Sequence, residues 1–431
     1  MKIGLEVHVG LPTKTKLFCR CKAYATEVNT AICPICTGLP GAKPMLNKKA
    51  LEISVDISNA LNCIIEKETS FVRKVYFYPD LPKSFQITQK DMSVGHSGNL
   101  KINNKTVRIR RIQLEEDPAK ILREDNYTLI DYNRSGQPLV EIVTEPDINS
   151  EEELKIFMNE LKSILYYLGV DIDQDIKVDL NISLSDSRVE IKNVTGLKNL
   201  IDAAKYEVQR QEKLIQTKQQ ILQETRSYSE AKLSTISSRE KESDEEYGFI
   251  FEPDLTVYNL ENIKPKEPIY TSIIAKDYSK KYGVSELQLL EIILFDKNSL
   301  KIIQTFAGKY EMKAILNALL SFKRYSKSEI KEKIIEKAIQ LVQKGSYLDA
   351  EVVSALEKGE EININSNIVN TDEIDSEIRS IINKNKQLLE DYKTNKKAMN
   401  SVIGMVLKKF KANPRVISER LEYILSNEFK V

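Results

Sequence analysis

An acid and an imidazole alternate with apolar side chains at the N-terminus of this chain. Within residues 2–9, Glu6 and His8 share one face of a predicted strand, because successive side chains of a strand point to opposite faces. The other face carries Ile3, Leu5, Val7 and Val9. An acid and an imidazole on one face suit a metal ion. A histidine without further ligands is more often a satisfied core residue, so the role of His8 depends on other side chains.

Four cysteines follow at C-x-C and C-P-x-C spacing, and they are Cys19, Cys21, Cys33 and Cys36. Four thiolates in two close pairs can close a tetrahedral zinc site, which would be structural because every ligand is protein. The alternatives are reduced thiols without metal, or the remnant of a lost site. Five cysteines with this pairing fit a reducing compartment better than a disulfide framework. The fifth, Cys63, lies in an apolar context typical of a core.

Carboxylates recur inside segments that otherwise read as buried strands. Glu115 and Glu116 end one such run, and Glu141 is central to the apolar run 139–143. A carboxylate in a buried strand is costly unless it is paired or bound to metal. One alternative is a buried salt bridge from Glu141 to Arg108, Arg110 or Arg111. Together with His8, these carboxylates suit Mg²⁺, with open positions left for phosphate oxygens.

A hairpin is predicted from the alternation in residues 176–184 and 189–192. If its apolar face packs, one polar face collects Lys177, Asp179, Asn181, Glu190 and Lys192. The helix before it is predicted from a cap at Ser150, a capping box completed by Glu153 and a stop at Gly169.

The chain has 431 residues and 49.3 kDa, which predicts about three domains. Residues 1–265 read as an α+β domain that includes a zinc-binding loop at 19–36, residues 266–372 as a helical domain, and 373–431 as a small helical tail. We expect a long polar helix over 197–224 and a mobile Ser-rich loop over 227–243. Further helices are expected near 285–305, 310–323 and 328–344.

Basic and acidic residues nearly cancel, 64 against 63, so net charge indicates no partner. Residues 392–415, however, contain basic residues and no acidic one: Lys393, Lys396, Lys397, Lys408, Lys409, Lys411 and Arg415. On pattern alone a solvated helix face is favoured over a phosphate-contact surface. No signal segment or membrane span is recognisable, which predicts a soluble, cytoplasmic protein.

Several nucleotide and nucleophile motifs are missing from the sequence. It contains no P-loop, no glycine-rich dinucleotide fingerprint and no recognisable Cys or Ser nucleophile. If the protein uses ATP, metal-bound carboxylates and basic side chains must hold the phosphates. If it needs ammonia from glutamine, another protein chain must release it.

The motifs, taken in order, resemble the GatB/GatE family of tRNA-dependent amidotransferase subunits, and the resemblance spans almost the whole chain. The words that carry it include Gly-Leu-Glu-Val-His-Val at 4–9, the four cysteines, Tyr-Phe-Tyr-Pro-Asp-Leu-Pro-Lys at 76–83, Leu-Glu-Glu-Asp at 114–117, Asp-Tyr-Asn-Arg at 131–134, Val-Glu-Ile-Lys-Asn at 189–193 and Glu-Pro-Asp-Leu at 252–255. The GatB branch is favoured over the archaeal GatE branch. A large inserted domain precedes the helical region of GatE proteins, and this sequence leaves no room for it after residue 255.

The resemblance implies a cradle-like mixed β-sheet domain with flanking helices, an all-helical domain and a YqeY-like helical tail. It implies that ATP and Mg²⁺ activate the side-chain carboxylate of Glu-tRNA(Gln) or Asp-tRNA(Asn). Ammonia, released from glutamine by an amidase-type glutaminase partner, would then displace phosphate, and a small third partner of the amidotransferase would clasp the assembly.

The resemblance also implies roles for particular residues. Metal ligands would be His8, Glu116 and Glu141, with Glu6 and Glu115 beside them. The same cavity would be lined by Asp179, Asn181, Glu190 and Lys192. Contacts with phosphate or the tRNA acceptor end are implied more weakly for Lys83, Arg226 and Arg239. In this family the basic residues of 392–415 would bind tRNA.

Two other classes of function compete with this interpretation. A non-catalytic, zinc-bearing tRNA-binding scaffold would explain the cysteines and the basic tail, but it would not need Glu141 inside an apolar strand. An amide ligase acting on a free small substrate would have no use for the tail.

Overall fold

The computed structural model describes residues 1–170, 176–240, 248–294, 296–326, 328, 330–344, 346, 348–360, 371–385, 399–410 and 414–428. Strands and helices are both abundant, which confirms the α+β class. The chain divides into two compact units, Met1–Thr271 and Ser272–Val431. A further division of the second unit near residue 372 stays a prediction, and most of the predicted boundary segment lies outside the described residues.

All named strands belong to the first unit. They are β1 (Lys2–Gly10), β2 (Ile64–Ile65), β3 (Glu68–Thr69), β4 (Val72–Val75), β5 (Phe85–Thr88), β6 (Gly95–Ile102), β7 (Lys105–Glu116), β8 (Lys120–Arg123), β9 (Thr128–Asp131), β10 (Pro138–Thr144), β11 (Lys177–Ser183), β12 (Val189–Thr195), β13 (Glu224–Ser229), β14 (Ser234–Glu240), β15 (Gly248–Phe251) and β16 (Tyr258–Asn259). We call residues 11–47, between β1 and the first helix, the cysteine loop.

A nine-stranded sheet dominates the first unit, in the order β14-β13-β12-β11-β1-β10-β7-β6-β2. Its neighbours pair antiparallel except β12 and β13, which are parallel. A parallel connection needs a crossover segment, and the helix Leu197–Gln216 lies between these two strands in sequence. A smaller sheet has the order β15-β4-β5, and two-stranded pairs join β16 to β3 and β8 to β9.

One face of the large sheet is apolar and carries the core. Its inward side chains pack in one cluster with three helices, α1 (Lys48–Ala60), α2 (Glu151–Leu168) and α3 (Leu197–Gln216). Burial of this apolar face is the main favourable term for the unit, at roughly 25 cal/mol per Å² removed from water. The alternation that buries one face leaves every second side chain on the other, where the polar residues lie.

Helix α2 has the predicted ends. The Ser150 side chain accepts a hydrogen bond from the Glu153 backbone amide, and Gly169 adopts the left-handed conformation with φ of 91°. The hairpin of β11 and β12 is likewise confirmed, because Leu180 pairs with Ile191 and Asn181 with Glu190.

Two expectations about residues 197–243 are wrong. The long polar helix ends at Gln216, not at residue 224. The described part of the Ser-rich segment forms β13 and β14, not a loop. Small polar residues favour turns locally, but here they extend the large sheet as its edge. Pairing with β12, a contact distant in sequence, overrides that local preference.

The described residues of the second unit are mainly helical. Its helices are α4 (Thr271–Tyr282), α5 (Glu286–Ile293), α6 (Lys297–Phe306), α7 (Met312–Tyr325), α8 (Glu332–Gln343), α9 (Ala350–Lys358), α10 (Thr371–Lys384), α11 (Met399–Lys409) and α12 (Pro414–Glu428). The single helix expected over 285–305 is divided into α5 and α6, because the Asp296 side chain caps a new start. Helices α10, α11 and α12 share a separate apolar cluster. None of the described helices is long and apolar enough to cross a membrane.

A buried charge network ties α3 to the edge strands. Glu207 is fully buried and pairs with Arg210 at 2.7 Å and with Arg226 at 3.5 Å. It also accepts hydrogen bonds from Gln211 at 2.9 Å and Thr235 at 3.0 Å. Residues of α3, β13 and β14 therefore compensate the charge of Glu207 together. These contacts help to hold β13 and β14 against α3.

We predict that Glu207→Gln lowers the free energy of unfolding by about 3 kcal/mol, because it leaves Arg226 and Arg210 without their shared buried partner. Urea unfolding followed by tyrosine fluorescence would measure the change. Glu212→Gln is the control, since Glu212 is exposed on the same helix, and we expect its effect to stay within about 0.5 kcal/mol. Equal stabilities of the two variants would contradict the prediction.

Candidate active site and metal centres

The strand registers assemble a polar surface on the face of the sheet opposite the core. His8 pairs with Glu141 across β1 and β10, and Glu141 pairs with Gln113 across β10 and β7. On the other side of β1, Glu6 pairs with Asp179 of β11. Side chains in paired positions share a face, so segments far apart in sequence contribute to one site.

The first cluster on this surface contains an imidazole and two carboxylates. Ligand atoms of His8, Glu115 and Glu141 all lie within 4.8 Å of one another. His8 Nε2 lies 3.6 Å from Glu115 Oε1, and both carboxylates are more than nine-tenths buried. The Gln113 amide donates to Glu141, while its Oε1 is buried and has no hydrogen-bond partner among the described residues. A buried acceptor beside two carboxylates fits a cation, because oxygen ligands are what hard cations prefer.

The second cluster lies on the neighbouring strands. Ligand atoms of Glu6, Asp179 and Glu190 also lie within 4.8 Å of one another. Lys192 Nζ is 3.4 Å from Asp179 and 3.6 Å from Glu190, and Asn181 donates to Glu6 at 3.1 Å. Lys192 thus supplies positive charge to this cluster, and Asn181 supplies a hydrogen bond.

Burial and mutual repulsion set the protonation states of the first cluster. Burial, with the nearby Glu115 carboxylate, raises the pKa of Glu141 to about 7. Burial by itself would lower the pKa of His8, but Glu115, Glu141, Asp179 and Glu6 together hold it above its ordinary value. A cation between these groups would favour their ionised carboxylates and the neutral imidazole.

A cavity of about 250 Å³ opens over these carboxylates. Its wall combines Glu6, Glu115, Glu141 and Glu190 with a surrounding set of basic side chains, which are Lys74, Lys90, Arg110, Arg111, Arg188 and Lys192. A larger, more open hollow of about 530 Å³ borders the cysteine loop, and Glu27 is the one acidic residue among the described residues that line it. Carboxylates and cations converge in the smaller cavity, which makes it the candidate active site.

Glu116 and Lys83 lie outside the first cluster. Glu116 follows Glu115 on β7, so its side chain points to the other face of the strand. It forms a buried ion pair with Lys83 and accepts a hydrogen bond from the Ile87 amide at 3.0 Å. Neither residue lines the 250 Å³ cavity. The structure therefore brings Glu115, in place of the predicted Glu116, to His8 and Glu141.

The remaining predicted contacts are only partly described. Arg226 is engaged internally, donating to Glu224 at 2.7 Å and to the Thr235 carbonyl at 2.8 Å. Arg239 pairs through its backbone with Thr225, and its side chain lies outside the described residues. Lys408 and Lys409 are exposed in the last turn of α11. The predicted Lys393, Lys396, Lys397 and Lys411, and the Arg415 side chain, lie outside the described residues.

The four cysteines of the cysteine loop converge as their spacing predicts. The four sulfurs lie within 4.8 Å of one another, with Cys33 and Cys36 at 3.9 Å. Zn–S bonds of about 2.3 Å in a tetrahedron place sulfurs just under 4 Å apart, so the donor set fits zinc. A hydrogen bond from Cys19 lowers the pKa of Cys36 to about 4, and the nearby Lys16 ammonium acts in the same direction. A thiolate is the form that binds metal.

Three features of these sites were not predicted from the sequence: segment 132–137, Lys16 and Gln113. Segment 132–137 lies against the cysteine loop, where Ser135 donates to the Cys36 carbonyl at 3.0 Å. Lys16 is fully buried, with Nζ 3.5 Å from Cys36 Sγ and 3.1 Å from the Tyr132 carbonyl. Strand alternation could have pointed to Gln113, which shares a face with Glu115, but no local pattern marks Lys16.

Comparison with known proteins places the chain in a family. Residues 1–264 match the model described as the GatB/GatE catalytic domain. A protein of Sulfolobus acidocaldarius is 36% identical over 98% of this chain and 99% of its own length. One from Saccharolobus solfataricus is 36% identical over 97% and 98%, and one from Persephonella marina 34% over 98% and 98%. All three are named as the B subunit of aspartyl/glutamyl-tRNA(Asn/Gln) amidotransferase.

The nine-stranded sheet with its carboxylate face and cysteine loop thus defines a catalytic domain shared with amidotransferase subunits. The chain belongs to the GatB/GatE family, as the order of its motifs indicated.

We predict that the purified chain contains about one zinc per molecule, and that Cys36→Ser releases it and lowers thermal stability, because three thiolates leave the site open. Elemental analysis and thermal unfolding would measure both effects. Cys63→Ser should keep the zinc, since Cys63 lies apart from the cluster. Full zinc content in Cys36→Ser would contradict this assignment.

A second prediction concerns the pH dependence of stability without metal. The pKa of Glu141 is raised from 4.5 to about 7 in the folded chain. Between these pH values Glu141 ionises in the unfolded chain but stays protonated in the folded chain, so the free energy of unfolding of the wild type falls as pH rises. Gln cannot ionise, so Glu141→Gln should gain stability over wild type through that window. The gain should reach on the order of 3 kcal/mol at pH 8, at about 1.4 kcal/mol per pKa unit. Urea unfolding in chelator at pH 5 and pH 8 would test this, and an equal difference at both pH values would refute it.

Proposed function

We propose that this chain catalyses the ATP-dependent amidation of Glu-tRNA(Gln), Asp-tRNA(Asn) or both, as the kinase and transamidase component of an amidotransferase. The side-chain carboxylate of the tRNA-bound amino acid would attack the γ-phosphorus of ATP and release ADP. Ammonia would then attack the resulting acyl phosphate and expel inorganic phosphate, leaving the amide on the tRNA. The observation that carries this proposal is the cavity of buried carboxylates ringed by basic side chains.

The arrangement of charges suits a phosphoryl transfer between two anions. A carboxylate and a triphosphate repel each other, so the site must supply positive charge. Lys74, Lys90, Arg110 and Arg188 line the cavity, and Lys192 pairs there with Asp179 and Glu190 of the second cluster. In the proposed reaction these side chains bind phosphate oxygens and hold the two reactants in line.

The first cluster is proposed to hold Mg²⁺ through His8, Glu115 and Glu141. When bound there, the ion would neutralise the charge that develops on the transferring phosphate. Gln113 and Thr88 orient the two carboxylates by hydrogen bonds, with Thr88 at 3.2 Å from Glu115. The ligand set differs from the sequence prediction in one residue, Glu115 for Glu116. A zinc ion in the cysteine cluster is proposed as structural.

The source of ammonia and the binding of tRNA lie outside the cavity. The relatives are named as the B subunit of an amidotransferase, which supports the proposal that this chain works with other subunits. The partners we propose are an amidase-type glutaminase and a small third component of the amidotransferase. Exposed Lys408 and Lys409 support the proposal that the basic residues of 392–415 contact the tRNA phosphate backbone. We propose a cytoplasmic location, because the proposed role is in translation.

A non-catalytic tRNA-binding scaffold is the weaker alternative. It would account for the cysteine cluster and the basic tail. It would not account for Glu115 and Glu141 buried side by side, which repel by roughly 3 kcal/mol or more at an effective dielectric of 20 when both are ionised. Buried groups held in such a state are typical of a reaction site.

The test uses this chain purified with its glutaminase and small third partners, Glu-tRNA(Gln) or Asp-tRNA(Asn), MgATP and ammonium chloride. Ammonium bypasses the glutaminase, so the assay isolates the step assigned to this chain. We expect amidated tRNA to form in step with ATP consumption, with one substrate or with both. Binding of tRNA without ATP consumption from either substrate would overturn the proposal and favour the scaffold.

We predict that Glu115→Gln lowers ATP consumption by a factor on the order of a hundred, the rate equivalent of about 2.7 kcal/mol, because it weakens the proposed cation site. Binding of tRNA, measured by filter retention, should not change. Glu124→Gln, an exposed carboxylate outside the cavity, is the control and should keep wild-type rates. Unchanged turnover in Glu115→Gln would exclude this residue from the site.

A further inference from the structure

The Lys83–Glu116 ion pair connects the cavity wall to the rest of the first unit. Only 11% of the Lys83 side chain and 5% of the Glu116 side chain are exposed. Glu116 also accepts a hydrogen bond from the Ile87 amide at 3.0 Å, and its backbone carbonyl accepts one from the Gln86 side chain at 2.8 Å. The pair therefore fixes β5 against the end of β7.

Strand β5 in turn orients a carboxylate of the first cluster. Thr88, at the end of β5, is buried and donates from Oγ1 to Glu115 Oε2 at 3.2 Å. The other oxygen of Glu115 faces His8. A displacement of β5 would change the direction of this hydrogen bond and with it the orientation of Glu115.

The cysteine loop packs directly on Lys83 through a glycine. Gly38 follows Cys36 closely, has φ of +70°, and approaches Lys83 so nearly that a Cβ there would lie 2.6 Å from Lys83 Cγ. The same Cβ would lie 3.0 Å from Lys83 Cα and from the Pro82 carbonyl oxygen. These are backbone atoms, which cannot give way cheaply. Gly41, with φ of +82°, has nothing within 4 Å of its Cβ position.

A second contact joins the cysteine loop to Glu116. A Cβ on Gly136 would lie 3.6 Å from Cys36 Cβ and 3.7 Å from Glu116 Oε2, so this glycine fills the space between the cysteine cluster and the ion pair. The Leu17 amide donates to the Gly136 carbonyl at 2.8 Å. The loop therefore reaches both members of the ion pair, Lys83 directly and Glu116 through Gly136.

We propose that the cysteine loop is a positioning element for the carboxylate cavity, in which Gly38 holds Lys83 on Glu116 and thereby fixes β5 and the orientation of Glu115. Only the expected effect on turnover rests on the proposed function. The positioning of Lys83 is a structural statement that can be tested without any reaction.

The first experiment compares Gly38→Ala with Gly41→Ala. Both variants place alanine at a positive φ in the same loop, so they share the backbone strain, and only Gly38→Ala meets Lys83. We expect Gly38→Ala to keep its zinc, to lower kcat by about tenfold to a hundredfold as a misplaced group does, and to leave tRNA binding unchanged. Gly41→Ala should retain wild-type kcat. Equal kcat in the two variants would overturn the proposal.

A double-mutant cycle with Lys83→Met identifies the contact through which Gly38 acts. If Gly38 works by holding Lys83, the double variant Gly38→Ala/Lys83→Met should have nearly the same kcat as Lys83→Met by itself. If the two effects multiply independently, Gly38 acts by another route and the proposal fails.

A third measurement does not depend on turnover or on a variant that folds. Brief acylation with an amine-reactive reagent, read by mass spectrometry, reports the accessibility of Lys83 relative to the exposed Lys101. In the wild-type chain, removing zinc with a chelator should raise the labelling of Lys83 several-fold and leave Lys101 unchanged. Unaltered labelling of Lys83 would overturn the proposal even if the amidation assay succeeds. Raised labelling would support it even if that assay fails.

Discussion

The first unit holds several carboxylates close together on one face of its large sheet, and their mutual repulsion must be overcome when the unit folds. Two sets of ligand atoms are each confined within 4.8 Å. At an effective dielectric of 20, two ionised carboxylates at that distance repel by roughly 3 kcal/mol. Lys192 and Asn181 donate to the second cluster, and Thr88 and Gln113 donate to the carboxylates of the first, beside His8. Folding energy from the apolar face must support this arrangement, and a cation placed among these carboxylates would relieve their repulsion.

Strand alternation decides which carboxylate faces the cavity and which packs on the opposite side of the strand. Glu115 and Glu116 are chemically alike and adjacent, yet one meets His8 and the other meets Lys83. The pleat sends neighbouring side chains to opposite faces, so neighbours in sequence receive different surroundings. The ion pair that results is buried, and its contribution is to hold β5 in position more than to add net stability.

The cysteine loop is an integral part of the first unit and not an appendage. It contacts segment 132–137 through Lys16 and Ser135, and it touches Lys83 through Gly38. These contacts give a physical reason why the motif at 131–134 accompanies the cysteines. A metal ion in the loop would stabilise this packing where short loops offer little apolar core of their own.

Local patterns were enough to predict the α+β class, the capped helix α2, the β11–β12 hairpin with its polar face, and the convergence of four cysteines, because each depends on periodicity or short spacing. The order of the motifs also indicated the family. The three-dimensional arrangement was needed to show that Glu115 and not Glu116 joins His8, that Arg226 is taken up by Glu207, and that the Ser-rich segment extends the sheet. Those outcomes depend on register and on partners distant in the chain, and neither is encoded in any local run of residues.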